Sequence, residues 1–294
     1  MKKRLFGFAL TLLSGSLMAE PLPVTASFSI LGDVAKQIGG ERVTVQNIIA
    51  PGQDAHVYTM SNADVRKIRQ AKVLLLNGLG FERANLVRAA EQSKVPLFYA
   101  AANIKALSMP EDEHGHDDHD HELDPHVWQD PVLMKDYAKN VADALIQADA
   151  AGKVYYQRRL KNFQAELNQL DVWTKQTFNT IPESKRKVIT SHDAFNYLGN
   201  RYHVQFLAPQ GVSEEAEPSA KQVAAIIRQI KQRNIKAVFT ENIKNPRVIE
   251  RIAKETGVKV NGVLYADSLS AGAPAATYIQ MFRYNVKALS DAMK

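Results

Sequence analysis

Cysteine is absent from the 294-residue sequence. Its absence excludes disulfides, thiolate metal ligands, catalytic thiols and the lipidated cysteine of a lipoprotein anchor. Beyond the N-terminus, no apolar run reaches the roughly 18 residues that a membrane-spanning helix needs. The body of the chain is therefore predicted to be globular, and a chain of this length can be stabilised by its hydrophobic core alone.

The first 19 residues differ from the rest. A basic cluster at positions 2–4 precedes an almost wholly apolar stretch at 5–13, and Ala19 stands just before acidic and proline-containing sequence. This order is typical of a cleavable secretory signal peptide, and the apolar stretch is too short to span a bilayer. We predict cleavage after Ala19 and export to the periplasm.

The positive net charge of +6 is unevenly distributed. Three positive charges lie in the signal segment, whereas residues 111–122 carry seven carboxylates and no Lys or Arg. The other basic residues are spread over amphipathic helical patterns, and no aromatic-basic stretch stands out. The distribution therefore argues against nucleic acid as a partner.

Strands and helices alternate along both halves of the sequence. Short, continuously apolar strand segments such as 73–77 are separated by helical patterns, which is typical of parallel sheets covered on both faces. Between the halves, residues 152–178 carry apolar side chains at steps of three and four, which predicts one helix about 40 Å long.

We therefore predict an α/β fold with two similar lobes, each a parallel β-sheet flanked by helices, joined by one long rigid linker helix. The predicted ranges are the signal peptide 1–19, the N-terminal lobe 20–150, the linker helix 151–181 and the C-terminal lobe 182–294. In such an architecture, a ligand is expected in the cleft between the lobes, at the carboxyl ends of the strands.

An acidic, histidine-dense tract interrupts the pattern at 108–125. It has no apolar face, and we interpret it as a mobile loop. Closely alternating imidazoles and carboxylates bind divalent metal loosely, which favours a metal-collecting or sensing role over a simple solvated linker. The histidines that would provide this low-affinity binding are His114, His116, His119 and His121.

Three further histidines lie at or near the carboxyl ends of predicted strands or on the loops beyond them. His56 comes after the strand at 43–49, His192 directly follows the strand at 187–190, and His126 comes after the acidic loop. Asp267 follows the strand at 258–264. Because these positions line the inter-lobe cleft, the sequence predicts a metal site with two ligands from each lobe.

Three imidazoles and one carboxylate complete a tetrahedral shell for Zn²⁺. A single histidine more often caps an element or packs in a core, and we assign such a structural or exposed role to His203. Imidazole must be neutral to bind metal and its reference pKa is near 6.5, so metal affinity is expected to fall below about pH 6.

Enzymatic activity is not expected. The sequence contains no Gly-x-Ser-x-Gly elbow, no His-Glu-x-x-His pair and no Gly-rich phosphate loop. The best catalytic alternative is a zinc-dependent periplasmic hydrolase that uses the same cleft. Such an enzyme needs an open coordination position, and four protein ligands leave none.

Six segments together resemble a known family. They are 51–58 with the first histidine, the Asn-Gly-Leu-Gly-x-Glu turn at 77–82, Asp-Pro-His-Val-Trp-Gln-Asp-Pro at 124–131, Thr-Ser-His-Asp-Ala-Phe at 190–195, the segment from Glu214 to Ser219 with its Glu-Pro-Ser end, and Leu-Tyr-Ala-Asp-Ser-Leu at 264–269. They are similar to segments of the metal-receptor class (cluster A-I) of periplasmic solute-binding proteins, which serve zinc and manganese ABC transporters. The similarity spans essentially the whole mature chain and is closest to the zinc-uptake members.

The resemblance implies a monomeric receptor that captures metal in the periplasm and delivers it to a membrane permease with a cytoplasmic ATPase. It implies His56, His126, His192 and Asp267 as ligands. Manganese and iron receptors usually have glutamate at the position of His192, so a third imidazole favours Zn²⁺, with Mn²⁺ or iron as the alternative. Two departures are Ala55, where proline is usual, and the lack of a disulfide that some zinc members carry.

Overall fold

Parallel β-strands and helices alternate through both halves of the structure, a computed structural model that describes residues 20–108, 123–211 and 217–294. The predicted signal peptide, the loop histidines (His114, His116, His119 and His121) and Glu214 lie outside the described residues. Within the described ranges, no helix combines the length and apolar character needed to cross a bilayer.

The first lobe contains one four-stranded parallel sheet in the order β2-β1-β3-β4. Its strands are β1 (Leu22–Ala26), β2 (Val43–Asn47), β3 (Val73–Leu76) and β4 (Leu97–Tyr99). Its helices are α1 (Ser29–Gly39), α2 (Asn62–Gln70), α3 (Ala84–Gln92) and α4 (Leu133–Ala148). All four residues of β3 are buried, as expected of a central parallel strand with helices on both faces.

Local sequence explains where several helices begin. At the start of α2, the N-cap Ser61 accepts a hydrogen bond from the backbone of Asp64, and the Asp64 side chain accepts one from the Ser61 backbone in return. Ser219 and Gln222 form the same reciprocal arrangement at the start of a helix in the second lobe. Such capping boxes satisfy backbone donors that the first turn of a helix leaves free.

The second lobe contains two small parallel sheets, β6-β5-β7 and β8-β9. Their strands are β5 (Lys187–Ile189), β6 (Gln205–Leu207), β7 (Ala237–Val238), β8 (Thr240–Glu241) and β9 (Val263–Leu264). The helices of this lobe are α6 (Asn196–Tyr202), α7 (Ala220–Arg233), α8 (Arg247–Thr256) and α9 (Tyr278–Met293). The lobe therefore repeats the parallel arrangement of the first with shorter strands.

One helix, α5 (Lys153–Asn179), joins the two lobes. It packs against α1 and α4 of the first lobe and against α6 and α9 of the second. Its buried face includes Tyr156, Phe163, Leu167 and Leu170, which belong to the predicted apolar stripe. The predicted α/β class with two parallel-sheet lobes and a long connecting helix is confirmed.

Two apolar runs of the second lobe, one of them the predicted strand at 258–264, form shorter strands than their length suggests. The apolar run at 258–264 forms a strand only at Val263–Leu264, and the run at 237–240 divides into β7 and β8. Asn261 explains the first difference, since its backbone N–H donates to the Val238 carbonyl (2.7 Å) and its side-chain oxygen accepts from the Val238 N–H (2.8 Å). This contact covers the end of β7, and Gly262 then adopts a positive φ of 142° before β9 begins.

Candidate metal centre

The four predicted cleft residues lie together at the carboxyl ends of the strands. His56 is 5% exposed, His126 is fully buried, and His192 and Asp267 are each 1% exposed. One ligand-type atom from each residue lies within 4.8 Å of those of the other three. Two residues come from each lobe, so the lobes meet at this cluster.

Asp267 lies at the centre of the cluster. Its Oδ2 is 3.1 Å from Nε2 of His192 and 3.2 Å from Nε2 of His56, and its Oδ1 is 3.3 Å from Nε2 of His126. In a tetrahedral zinc site with bonds near 2.0–2.1 Å, neighbouring ligand atoms are about 3.3 Å apart. The three distances to Asp267 are close to this edge length.

Several polar atoms at this cluster are buried without a hydrogen-bond partner in the described part of the chain. They are Nε2 of His56, Nε2 of His126 and Oδ1 of Asp267. Buried polar atoms are normally hydrogen-bonded, because an unsatisfied one costs about 1–3 kcal/mol. Ligand-type atoms that are buried, face one another and have no hydrogen-bond partner are expected where a cation binds.

The electrostatics of the metal-free cluster differ from ring to ring. Burial disfavours the charged ring of His56 and lowers its pKa. Burial acts on His126 in the same way, but the carboxylates of Asp267 and Asp124 outweigh it and raise its pKa to about 9. For His192, Glu241 and Asp267 outweigh burial and raise the pKa to about 10.

Asp267 responds in the opposite direction. Burial would raise the pKa of this carboxyl, but the charged rings of His192 and His126 hold it well below its usual value. At neutral pH, the cluster therefore contains an anionic carboxylate, one neutral ring and two protonated rings. A divalent cation that replaces the two ring protons leaves the total charge unchanged.

His126 is held by the aspartate two residues before it. Oδ1 of Asp124 accepts the backbone N–H of His126 (2.9 Å) and lies 2.8 Å from its ring Nδ1. Asn196 and Tyr197 of the second lobe donate to Asp124, to its Oδ2 (3.1 Å) and its carbonyl oxygen (2.6 Å) respectively. A proton on Nδ1 directs Nε2 to the cluster, as outer carboxylates commonly do for metal-binding histidines.

His192 is held by Glu241, the last residue of β8. One Glu241 oxygen contacts the ring Nδ1 of His192 in a very short hydrogen bond. The other oxygen accepts the backbone N–H groups of Ser191 (2.7 Å) and His192 (3.0 Å). The imidazole is thus oriented through both its ring and its backbone.

His56 is positioned mainly through its backbone and its ring contacts. Its N–H donates to Oδ1 of Asp54 (2.9 Å), and its ring stacks edge-on against Phe81 with the centroids 5.3 Å apart. Farther along the loop, Tyr58 donates to the carboxylate of Asp64 (2.9 Å), which ties the loop to α2. Phe81, Trp128 and Phe28 contact one another and form an aromatic layer behind the histidines.

The Asn-Gly-Leu-Gly-x-Glu turn supports this layer. Gly78 and Gly80 have positive φ angles of 87° and 76°, which glycine adopts without strain, and Leu79 between them has a φ of 56°. The buried Glu82 carboxylate accepts from the backbone N–H groups of Asn77 (2.6 Å) and Gly78 (3.1 Å). The Asn77 side chain donates to the Pro125 carbonyl (3.1 Å), so this turn also holds the segment with His126.

Asp267 is held by contacts across the lobe boundary. The carbonyl of Ala266 accepts the indole N–H of Trp128 and the amide N–H of Gln129, both at 2.9 Å. Ser268 accepts the backbone N–H of Gly52 at 2.7 Å. Segments from both lobes therefore fix the backbone on each side of Asp267.

Sequence reasoning brought the four cluster residues to one place but missed Glu241. A signal for it existed, since Glu241 lies at the carboxyl end of an apolar run, and Asp267 likewise comes shortly after the end of one. The two Asp-x-His pairs at 54–56 and 124–126 were a second signal for carboxylates behind the rings. His203 lies exposed at the end of α6, away from the cluster.

Comparison with known proteins gives matches over nearly the whole chain. The family model for "Zinc-uptake complex component A periplasmic" matches residues 24–292. The manganese-binding lipoprotein MntA of Halalkalibacterium halodurans is 30% identical over 91% of this chain and 87% of its own length. MntA of Bacillus subtilis is 30% identical over 96% of this chain and 92% of its own length. Among solved structures, the periplasmic zinc-binding protein TroA from Treponema pallidum superposes with a TM-score of 0.86 at 26% identity, covering 93% of this chain and 99% of TroA.

Proposed function

The chain belongs to the family of periplasmic A components of zinc-uptake complexes, and on that premise we propose that it captures Zn²⁺ and delivers it to an ABC-type permease for import. Proteins of this family are the metal-binding, substrate-binding components of ABC transporters, not enzymes. The predicted absence of catalysis is thereby confirmed. Its partners are a membrane permease and the ATPase that drives it.

One observation carries the proposal of zinc as substrate. Three buried imidazoles and one buried carboxylate present their ligand atoms within 4.8 Å of one another. We propose that His56, His126, His192 and Asp267 each supply one bond to the ion. Imidazole-rich, four-coordinate sites suit Zn²⁺, whereas Mn²⁺ favours oxygen ligands and octahedral geometry.

Manganese is the second candidate. The two MntA relatives are named for manganese binding. In addition, both oxygens of Asp267 face imidazole nitrogens, at 3.1–3.3 Å, so both are available to one ion. Bidentate binding by Asp267 would supply a fifth ligand atom and a second oxygen, which moves the site toward the preference of Mn²⁺.

The metal should be identified in the protein as cells load it. Zn²⁺ outcompetes Mn²⁺ at most nitrogen and oxygen sites, so titration in vitro does not decide between them. We expect protein purified from the periplasm without added metal, after growth with equal limiting zinc and manganese, to contain about one zinc ion per chain by mass spectrometry. Cells that lack the gene should take up less radioactive zinc, and the wild-type gene should restore uptake.

An Asp267→Ala variant, exported from the same vector, controls for metal bound elsewhere. It should be purified nearly free of zinc while its expression and circular dichroism spectrum resemble the wild type. Manganese as the dominant metal in the wild-type protein, together with unchanged zinc uptake, would select the second candidate.

We also make proposals about the cellular location of the protein and the domain boundaries of the chain. We propose a periplasmic, monomeric protein released by cleavage after Ala19. We also propose the ranges 20–150, 151–181 and 182–294 as first lobe, linker helix and second lobe. The packing of α5 against helices of both lobes supports the linker assignment.

The acidic loop is proposed to collect metal weakly. Its two ends are held together, since Ser108 and Leu123 form an antiparallel bridge and Asp124 donates to the Leu107 carbonyl (2.8 Å). Deletion of residues 111–122 leaves Met109 and Pro110 between the bridged positions, the length of a tight hairpin connection. Because proline cannot adopt the positive φ that such a turn favours, the shortened form also carries Met109→Asn and Pro110→Gly. The shortened chain should therefore close without disturbing Asp124.

We expect this deletion to leave the tight zinc-binding event unchanged and to remove additional, weaker events. The deleted imidazoles bind loosely, and the loss of seven carboxylates raises the charge of the chain without its signal peptide from +3 to +10. Calorimetric titration of both forms with zinc measures the difference. Loss of the tight event would mean that the loop supplies a primary ligand.

A further inference from the structure

A four-residue turn at the carboxyl end of β8 contacts three of the four segments that carry the proposed ligands. Glu241 holds the ring and backbone of His192. Asn242 donates its side-chain N–H to the carbonyl of Ser268, next to Asp267 (3.2 Å). Lys244 donates to Asp54 of the first lobe (2.9 Å). We refer to residues 241–244 as the β8 turn.

The contact between Lys244 and Asp54 reaches His56. Oδ2 of Asp54 pairs with the Lys244 ammonium, and Oδ1 of the same carboxylate accepts the His56 backbone N–H (2.9 Å). Both charged side chains are only 10% exposed, so salt screens this pair less than a surface pair. A side chain of the second lobe thus restrains the backbone of a proposed ligand in the first.

The two Asp-x-His pairs differ in how their carboxylates are used. In both, Oδ1 of the aspartate accepts the backbone N–H of the histidine. Asp124 also holds the ring of His126 with this oxygen, so that imidazole is oriented directly. Asp54 instead uses its second oxygen for Lys244, so the orientation of His56 depends on the other lobe.

We propose that Lys244 is a positioning residue for metal retention: its ion pair with Asp54 holds the His56 loop against the second lobe and slows metal release. The inference rests on the proposed metal site. Gly52 and Ser268 make a second tie at the start of the loop. The contact with Lys244 is made at Asp54, which is nearer to His56 along the loop than Gly52 is. It acts through a charge, which a substitution can remove without changing the backbone.

The test measures zinc release from the loaded full-length protein into excess chelator by stopped flow. Lys244→Met removes the charge and retains the length of the side chain. We expect release about tenfold faster, the lower end of the effect of outer-shell substitutions. Lys244→Arg should restore slow release, because it restores the ion pair.

Arg201→Met is the matched control. Arg201 of α6 pairs with Asp130 across the lobe boundary (2.6 Å) without contacting the His56 loop. If the two Met variants release zinc equally fast, the effect is a general loosening of the lobes and the proposal is wrong. Melting of the metal-free variants shows whether either one has simply lost stability.

Asp54→Asn tests whether Lys244 acts through Asp54. Asparagine retains an oxygen for the His56 N–H but loses the ion pair, so its release rate should match that of Lys244→Met. The double variant should release no faster than either single variant. Unchanged release in Lys244→Met, with tight zinc binding by the wild type, would overturn this inference alone. A wild type that binds no zinc in the cleft would overturn the proposed site as well.

Discussion

His126→Asn should weaken zinc binding at least about 100-fold, whereas His203→Asn should leave it unchanged. Removal of an outer-shell partner costs up to about 100-fold in affinity, and removal of a ligand should cost no less. His126 is fully buried with Nε2 3.3 Å from Asp267, so no other side chain can take its place without rearrangement. Competition titration with a zinc-binding dye measures both affinities.

The two variants are matched for chemistry and backbone. His203 has a positive φ of 56°, a conformation that asparagine tolerates better than alanine, so the control should fold normally. Circular dichroism and melting of the metal-free proteins test folding separately. Equal effects on zinc affinity in two folded variants would refute the assignment of His126 as a ligand.

Zinc binding at pH 7.5 should release about two protons. In the metal-free protein, the pKa of His126 is raised to about 9 and that of His192 to about 10, whereas the pKa of His56 is lowered. The first two rings are therefore protonated below about pH 9 and must each lose a proton before Nε2 can bind metal. His56 and Asp267 need lose none.

The raised pKa values of His126 and His192 determine how zinc affinity depends on pH. Protons compete with metal below the raised pKa values, so apparent affinity falls as the pH falls. With two protons released, it should fall about 100-fold per pH unit between about pH 8 and pH 6. Calorimetry in buffers of different ionisation enthalpy counts the protons. Glu241→Gln should reduce the count toward one, because it removes a carboxylate that raises the pKa of His192. A wild-type count near zero would contradict the expected protonation of the rings.

The pH at which zinc affinity begins to fall is higher than the pH expected from the sequence alone. A reference pKa near 6.5 places the loss of affinity below about pH 6. The difference arises from Asp124 and Glu241, whose effect depends on distances that sequence does not give. The sequence places Asp124 two residues before His126, but it does not show that the backbone folds so that the Asp124 carboxylate contacts the His126 ring.

The layout of the fold was largely predictable because each element has its own local signal. Apolar runs such as β3 and the stripe along α5 depend on residue spacing, and Ser61 marks a helix start by its chemistry. The division of 237–240 between two sheets had no such signal, because it depends on pairing with Ile189 on one side and Val263 on the other. The cluster residues were found by their position after strands, whereas Lys244 needed the relative placement of the lobes.

The long helix α5 also bears on how the permease could distinguish loaded from empty receptor. This helix of 27 residues packs against both lobes. A large opening of the cleft would therefore have to bend the helix or break its contacts with one lobe. Flexible strands connecting the lobes would permit large rotations of one lobe relative to the other, whereas a continuous rigid helix restricts the lobes to small displacements. We therefore expect the permease to distinguish the metal-loaded receptor by the conformation of the surface around the His56 loop rather than by a change in the overall shape of the molecule.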